Sequence, residues 1–313
     1  MRVLLITSHY MGVLYIEELL KAGDEIVGVV AWPDSMGWYV PEEYDVRTKA
    51  FRSYLPLYEP QPKDLNGPFL PVIEKLAPDM IVSGYYSQIF GRKLLSIPPK
   101  GCVNTHPTGL PRFRGLSPYF THMLFGDRYN EITLHWLDPG VDTGDIIGQG
   151  RVEILPEDTG YTCGHRLTEA GRDVFRENWP LIKAGKAPRR KQDRSKASIY
   201  NFSWAVAEVD WSKPAVEIWN LVRAISRPLQ GAWTLMGGRK VHVWKVAVVE
   251  MTHELPAEGA VPGQVLAVTG AGVWVQTGAG QVRILESEVD HDPELPLARL
   301  VPATGGSARL ILG

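Results

Sequence analysis

Three polar side chains on two short loops are the residues of this chain best suited to catalysis. Asn104 and His106 belong to the stretch Asn-Thr-His-Pro, and Asp142 belongs to Asp-Pro-Gly-Val-Asp-Thr-Gly-Asp at residues 138–145. An amide and a protonated imidazole can stabilise a developing oxyanion, while a carboxylate can fix the tautomer of the imidazole or relay a proton. Residues two apart in extended backbone point the same way, so Asn104 and His106 can face one point. The set predicts acyl-transfer chemistry.

The same residues also have a structural interpretation. Polar residues that follow a strand often only cap it, and aspartates beside glycines are common in turns. The combination of an amide, an imidazole and a carboxylate favours catalysis over that alternative. Arg112 and Arg114 come just after the histidine, where they could bind an anion or be solvated. His135 falls in a predicted strand, so a structural role is expected for it.

Signatures of other kinds of site are absent from the sequence. Residues 7–12, after the first predicted strand, read Thr-Ser-His-Tyr-Met-Gly and lack the glycine pattern of a dinucleotide site. No Walker A, GxSxG or HExxH pattern occurs. Cys102 and Cys163 stand in neither a CxxC motif nor a metal-ligand spacing. We therefore predict no metal site and no disulfide framework.

The elements that must position these residues begin with a strand, a helix and a second strand. Residues 3–6 form a continuous apolar run, residues 13–21 have helical spacing, and residues 25–32 are apolar again. Such a unit predicts an α/β fold with an open, mostly parallel, Rossmann-like sheet. Ligands of these sheets bind outside the carboxyl ends of the strands, where Asn104 and His106 would lie. Further strands are predicted at residues 79–83, 102–104 and 131–137, and further helices at 70–76, 117–125, 159–182 and 215–225.

A smaller, β-rich domain is predicted at the C-terminal end of the chain. Its short strands, separated by turn signals, favour a barrel-like, OB-like arrangement. Residues 183–196 hold seven basic residues and one acidic residue, which predicts a solvated linker, although phosphate binding is an alternative. We thus predict a catalytic domain at residues 1–185, a basic linker at 186–208 and the β-rich domain at 209–313. The predicted strands of that domain are residues 241–249, 264–267, 272–276 and 281–285.

The bulk composition excludes several classes of protein. The net charge of −2 over 313 residues provides no general attraction to nucleic acid or to an anionic membrane. No stretch approaches 18 apolar residues, and the N-terminus lacks a signal-peptide cleavage pattern. We therefore expect a cytoplasmic protein with no membrane partner.

Three separated motifs resemble those of the formyltransferases that use N10-formyltetrahydrofolate. This family includes methionyl-tRNA formyltransferase, the sugar-nucleotide N-formyltransferases and the hydrolase domain of formyltetrahydrofolate dehydrogenase. The motifs are Asn-x-His-Pro at residues 104–107, Leu-Pro-Arg-Phe-Arg-Gly at 110–115 and Asp-x-Gly-x-Asp-Thr-Gly-Asp at 138–145. A further block, from Val209 to Trp233, is similar to the start of the second domain of that family.

The resemblance implies a formyltransferase fold, N10-formyltetrahydrofolate as the formyl donor, and a catalytic triad of Asn104, His106 and Asp142. It implies direct transfer to an amine, with the first two residues stabilising the oxyanion and the aspartate orienting the histidine and helping to accept the proton of the amine. Two further sets of residues follow from it. The implied folate-binding residues are Tyr85, Tyr86, Ser87, Gln88, Ile89, Phe90, Leu137, Asp138, Gly140 and Val141. The expected acceptor-binding residues are Ser8, His9, Tyr10, Met11, Arg112, Arg114 and Tyr119.

Departures from the family pattern bear on the acceptor. Residues 8–12 read Ser-His-Tyr-Met-Gly, where the tRNA enzymes typically have Gly-Thr-Pro-Glu-Phe. Residues 241–313 hold four basic and eight acidic residues, whereas a tRNA-binding domain needs a basic surface. We therefore expect a small amine, such as an amino sugar nucleotide or an amino acid, as the acceptor. Formylation of methionyl-tRNA and hydrolysis of 10-formyltetrahydrofolate are the alternatives, and a homodimer is possible.

Overall fold

The computed structural model describes residues 1–32, 42–292, 295–300 and 311–312. Their contacts divide the chain into two compact units, which interleave between residues 120 and 164. The first unit comprises residues 1–119, 131–152 and 165–201, and the second comprises 120–130, 153–164 and 202–313. The domain boundaries predicted at residues 185 and 209 stay a prediction. In the described part of the chain, no helix is long and apolar enough to cross a membrane.

A seven-stranded, mostly parallel sheet contains the predicted strand–helix–strand unit. The first five strands in the order β3-β2-β1-β4-β5 are parallel to their neighbours, and β6 runs antiparallel to β5. The predicted α/β fold class is therefore confirmed. The strands are β1 (Arg2–Thr7), β2 (Glu25–Val30), β3 (Leu57–Tyr58), β4 (Met80–Gly84), β5 (Cys102–His106), β6 (Tyr129–Trp136) and β7 (Ile146–Glu153).

The sheet is buried on both faces, which explains its continuous apolar strands. In β1, Val3 and Leu5 pack into one core cluster, while Leu4 and Ile6 pack into another on the opposite face. Strand order reverses between β1 and β4, and the carboxyl ends of β1, β4 and β5 meet at the same edge. That edge is where ligands of open α/β sheets bind.

Each helix predicted from the sequence is present, but the one near the histidine loop is shorter than expected. A helix was predicted over residues 117–125, but only Thr121–Leu124 is helical. Ser117 precedes Pro118, and a residue before proline avoids the helical conformation. The helices are α1 (His9–Lys21), α2 (Val46–Arg52), α3 (Leu70–Leu76), α4 (Arg92–Ser96), α5 (Thr121–Leu124), α6 (Gly160–Lys183), α7 (Ala215–Ile225) and α8 (Leu297–Leu300).

The second unit contains an antiparallel sheet, which confirms the predicted β-rich domain. Its strand order is β10-β11-β12-β9-β8, and β8 and β9 are joined by Gly237 and Gly238, both with positive φ as a tight hairpin requires. Within the described residues the outer strands β10 and β8 do not pair with each other, and β8 forms one further isolated bridge, between Trp233 and Glu208, so the ladder is open rather than a closed barrel. The strands are β8 (Ala232–Met236), β9 (Arg239–Val248), β10 (Val265–Thr269), β11 (Gly272–Gln276) and β12 (Gln281–Val289).

Candidate active site

His106 and Asp142 meet at the carboxyl edge of the large sheet. His106 is the last residue of β5, and Asp142 lies in the loop between β6 and β7. The Nδ1 atom of His106 is 3.7 Å from Oδ2 of Asp142, and both side chains are largely buried. This separation is longer than a hydrogen bond but close enough for strong electrostatic coupling in a buried setting. The fold thus brings together two residues that stand 36 positions apart.

The imidazole of His106 is held by a backbone carbonyl rather than by the carboxylate. Its Nε2 atom lies 2.9 Å from the carbonyl oxygen of Phe113. A carbonyl can only accept, so Nε2 carries the proton and Nδ1 has the free lone pair of the neutral ring. The hydroxyl of Thr108 donates to the same carbonyl at 3.2 Å. The Phe113 carbonyl thus holds the ring with Nδ1 facing the Asp142 carboxylate, and the expected role of Asp142 in fixing the tautomer stays a prediction.

The loop that carries Asp142 is fixed by three contacts. Asp142 has a φ of 50°, a left-handed conformation that aspartate tolerates better than most residues. Its Oδ2 atom accepts a hydrogen bond from the backbone N–H of Gly115 at 2.9 Å. The side-chain amide of Gln192 donates to the carbonyls of Asp142 and Gly144, both at 2.7 Å. The carboxylate is consequently oriented by the histidine loop on one side and by the basic segment on the other.

Asn104 reaches the same place through a second histidine. It is a partly buried residue of β5, directly opposite His135 in β6. The Nδ2 atom of Asn104 is 3.2 Å from Nε2 of His135, and that atom is 3.6 Å from Oδ1 of Asp142. Asn104, His106 and Asp142 are thus linked by short contacts, with His135 between the amide and the carboxylate.

The expected folate-binding residues lie on the loop that follows β4 and on the loop between β6 and β7, and they differ in accessibility. Ile89 and Val141 are exposed, whereas the side chain of Phe90 is buried in a core cluster. The Oδ1 atom of Asp138 accepts hydrogen bonds from the Gly140 N–H and the Thr143 hydroxyl, which shape the loop. Tyr85, Ser87, Gln88, Leu137 and Gly140 are partly buried or exposed.

Tyr86 is the member of this set whose chemistry best fits a bound heteroaromatic ring. Its ring stacks on Trp32 with a centroid distance of 4.9 Å. Its hydroxyl is buried and has no hydrogen-bond partner within the described residues, and burial raises the pKa of Tyr86 to about 12. The hydroxyl is therefore a protonated donor with no acceptor among the described residues, and its expected role in folate binding stays a prediction.

The expected acceptor-binding residues differ in their exposure and in their contacts. Met11 is fully buried in the core and is removed from the set. Ser8 is buried and donates to the carbonyl of Tyr85, while the guanidinium of Arg114 donates to Gln192 Oε1 at 2.6 Å. Arg112 is exposed, and Tyr10 packs its ring against His165 and Tyr44 at 4.6 and 4.7 Å. His9 and Tyr119 are partly buried.

Two residues of this site were missed in the sequence. Gln192 lies in the segment predicted to be a solvated linker, yet it binds two carbonyls of the aspartate loop. His135 was assigned a structural role because of its place in a strand. Only the pairing of β6 beside β5, with Asn104 opposite His135, could have revealed it.

Both parts of the chain match one family of enzymes. Residues 24–178 match the formyl transferase family, and residues 203–301 match the C-terminal domain of formyl transferases. A methionyl-tRNA formyltransferase from Halothermothrix orenii is 35% identical over 223 residues, covering 71% of this chain and 70% of the relative. One from Geobacter sulfurreducens is 32% identical over 298 residues, covering 92% of this chain and 91% of the relative.

A solved structure shares the fold at lower sequence identity. The N-formyltransferase from Helicobacter canadensis, solved with folinic acid and dTDP-3-aminofucose, superposes with a TM-score of 0.64 over 90% of this chain and 98% of that chain. Its sequence is 16% identical, so the likeness is one of fold.

Proposed function

Because the chain belongs to the formyl transferase family, and is therefore a folate-dependent N-formyltransferase whose donor is N10-formyltetrahydrofolate, we propose that it formylates the primary amine of a small acceptor. The observation that carries the catalytic assignment is the convergence of Asn104, His106 and Asp142 at the carboxyl edge of the sheet. In the reaction, the amine nitrogen bonds to the formyl carbon and the bond from that carbon to N10 breaks. The amine loses one proton and N10 gains one.

His106 is the base in this proposal. Its neutral ring presents the Nδ1 lone pair, since Nε2–H donates to the Phe113 carbonyl. Uptake of the amine proton at Nδ1 creates an imidazolium 3.7 Å from the Asp142 carboxylate, and that charge pair lowers the energy of the protonated state. Asp142 then acts through charge stabilisation, and the Phe113 carbonyl keeps the ring in place.

Asn104 is the oxyanion donor in this proposal. One N–H of its carboxamide is directed to His135, which leaves the other for the formyl oxygen as negative charge develops there. A preorganised hydrogen-bond donor costs no reorganisation energy during the reaction. Loss of one such donor typically lowers kcat by roughly 10²–10³-fold.

A small acceptor with a ring is supported by the side chains near the start of α1. Tyr10, Tyr44 and His165 form an aromatic cluster, with centroid distances between 4.3 and 4.7 Å. Aromatic faces of this kind suit the base of a nucleotide, as in an amino sugar nucleotide. The acidic balance of residues 241–313 also favours a small acceptor over a polyanion.

The decisive experiment incubates the enzyme and N10-formyltetrahydrofolate with a panel of amines: amino sugar nucleotides, free amino acids and initiator methionyl-tRNA. Mass spectrometry should detect the gain of one formyl group on a small amine. Release of tetrahydrofolate at the same rate with no amine present would instead identify a hydrolase. Equal turnover by the wild type and a His106→Ala variant would refute the catalytic assignment.

Methionyl-tRNA is the second candidate acceptor. The names of the two curated relatives favour it, as do the seven basic residues at 183–196, because cations that neutralise phosphates drive RNA binding. Two results together would identify methionyl-tRNA, and not a small amine, as the acceptor. Initiator tRNA would bind with an affinity that falls steeply with added salt, and its methionyl group would be formylated.

A further inference from the structure

His135 is a buried residue whose two ring nitrogens have distinct bonding roles. It is 0% exposed and lies in β6 directly opposite Asn104. Its Nδ1 atom is 2.9 Å from the carbonyl oxygen of Trp136. Because a carbonyl only accepts, Nδ1 carries the proton, and Nε2 of the neutral ring is an acceptor.

This tautomer determines which end of the Asn104 carboxamide faces His135. The atom of Asn104 within 3.2 Å of Nε2 must be a donor, so it is the NH2 group and not the oxygen. Asp142 Oδ1, at 3.6 Å from Nε2, is also an acceptor and cannot take this place. A flipped carboxamide would set its oxygen against the Nε2 lone pair and lose the hydrogen bond.

We propose that His135 is a positioning residue, which orients the Asn104 carboxamide so that its second N–H is held ready for the formyl oxygen. This inference rests on the oxyanion role proposed for Asn104. It extends the catalytic set to a fourth residue, which acts on the reaction only through Asn104.

The charge state of His135 supports this role. Burial is the main cause that lowers the pKa of His135 to about 4, and His106 acts in the same direction. The opposing influences, which raise it, are the nearby Asp142, the Trp136 carbonyl and Asp138. The net result keeps the ring neutral and Nε2 unprotonated at neutral pH. A protonated Nε2 would repel the NH2 group of Asn104.

A double-mutant cycle tests the proposal against a purely structural role. His135→Leu removes the acceptor and should lower kcat by at least about tenfold, with little change in the affinity for folinic acid, because the donor loses its orientation and not its pocket. In an Asn104→Ala background, the same substitution should change kcat by less than about twofold, since coupled residues are not additive. If His135→Leu lowered kcat by the same factor in the wild type and in Asn104→Ala, the proposal would be overturned.

Two further variants separate orientation from stability. His135→Gln offers a carboxamide oxygen near the position of Nε2 and should recover most of the lost kcat. Leu134→Val is the matched control, because Leu134 is 1% exposed, belongs to the same strand and packs into the core cluster of the opposite face. It should reduce stability without changing kcat. If His135→Gln is as slow as His135→Leu, a hydrogen-bond acceptor beside the Asn104 carboxamide does not contribute to kcat.

A measurement without any acceptor amine keeps this test independent of the proposed function. In protein labelled with ¹⁵N-histidine, the His135 signals should be those of a protonated Nδ1 and an unprotonated Nε2. The side-chain NH2 signals of Asn104, assigned by their loss in Asn104→Ala, should shift in His135→Leu and be largely retained in His135→Gln. A protonated Nε2, or Asn104 signals indifferent to His135→Leu, would refute the inference even if the acceptor had been misidentified.

Discussion

Asp142 combines a left-handed backbone with a carboxylate that serves two purposes. One oxygen accepts from the Gly115 N–H, and the same oxygen lies 3.7 Å from His106 Nδ1. Asparagine would keep the backbone conformation and a side-chain acceptor but would lose the negative charge. At this single position, the effect of charge can therefore be separated from the effect of shape.

We expect Asp142→Asn to lower kcat by about 10²-fold or more, because proton transfer to His106 would lose its charge partner. The thermal midpoint should change little, since the φ of 50° and the Gly115 contact are compatible with asparagine. Steady-state kinetics and thermal unfolding measure the two quantities. Asp142→Ala is the contrasting variant, because it removes both the charge and the acceptor from a strained backbone. Unchanged kcat in Asp142→Asn would rule out a charge role.

The convergence of Asn104, His106 and Asp142 was predictable from sequence, because each lies in a loop or at a strand end with a recognisable motif. Their catalytic roles stay a prediction. Asn104 and His106 are two apart in extended backbone, and glycines surround Asp142. His135 and Gln192 were not predictable in the same way. Their roles depend on strand pairing and on a tertiary contact of the 186–196 segment, which local composition does not encode.

At the scale of elements, the basic segment contacts the loop of the candidate site and is not only a connection. Its backbone at Arg190 pairs with Ile146 at the start of β7, with hydrogen bonds of 2.8 and 3.1 Å. Lys191 pairs with Asp145, and Gln192 joins the aspartate loop to Arg114. The segment therefore fixes the two loops that carry Asp142 and the arginines.

We expect Gln192→Ala to lower kcat by about tenfold, because the small displacement of a catalytic group can be that costly. Folinic acid should bind almost as tightly as before, since Gln192 contacts the aspartate loop at residues 142–144. Lys191→Gln is the matched neighbour: its side chain is 86% exposed, and exposed ion pairs are worth about 0–1 kcal/mol. Equal kcat values for the two variants would contradict a specific role for Gln192.

The aspartate loop also depends on the absence of a side chain at Gly144. A Cβ atom there would lie 1.7 Å from the carbonyl oxygen of Trp136, which is backbone and cannot move aside. Gly144→Ala should therefore displace the loop, lower the thermal midpoint and reduce kcat. Gly67→Ala is the control, because an added Cβ would meet nothing within 4 Å. Replacing glycine with alanine is neutral or slightly stabilising where the added methyl group causes no strain. Similar midpoints for both variants would show that the loop is adaptable.

The accuracy of the predicted elements follows their physical signals. The bounds of α3, α7 and β11 match the sequence prediction, because Pro71 lies in the first turn of α3, Pro214 directly precedes α7 and Gly272 begins β11. The strands β3, β7 and β8 and the helices α4 and α8 were missed. β3 has only two residues, and β7 alternates glycine with polar residues, so neither has the apolar run expected of a strand. Their pairing partners, rather than their own sequences, make them strands.

At the scale of the whole molecule, the burial of histidines, one of them in the candidate site, makes the stability of the folded state sensitive to acid. Burial is the largest cause that lowers the pKa values of His9, His135, His165 and His242. As the pH falls, a histidine whose pKa is lower in the folded state is protonated in the unfolded chain before it is protonated in the folded protein. Its contribution to stability is therefore present above the unfolded pKa of 6.5 and is lost as the pH falls.

We predict that the free energy of unfolding declines between about pH 6.5 and pH 4, and that His135 accounts for part of the decline. Its pKa falls from 6.5 to about 4 in the folded protein, and each pKa unit corresponds to about 1.4 kcal/mol. Below pH 4 this residue adds no further loss, because both states are then protonated. Urea unfolding at several pH values should give a smaller decline for His135→Gln than for the wild type, with the two curves parallel above pH 7. If the stability curves of the two proteins stayed parallel down to pH 4, His135 would be charged in the folded protein or its pKa would not be lowered. A charged ring could not accept the hydrogen bond from Asn104.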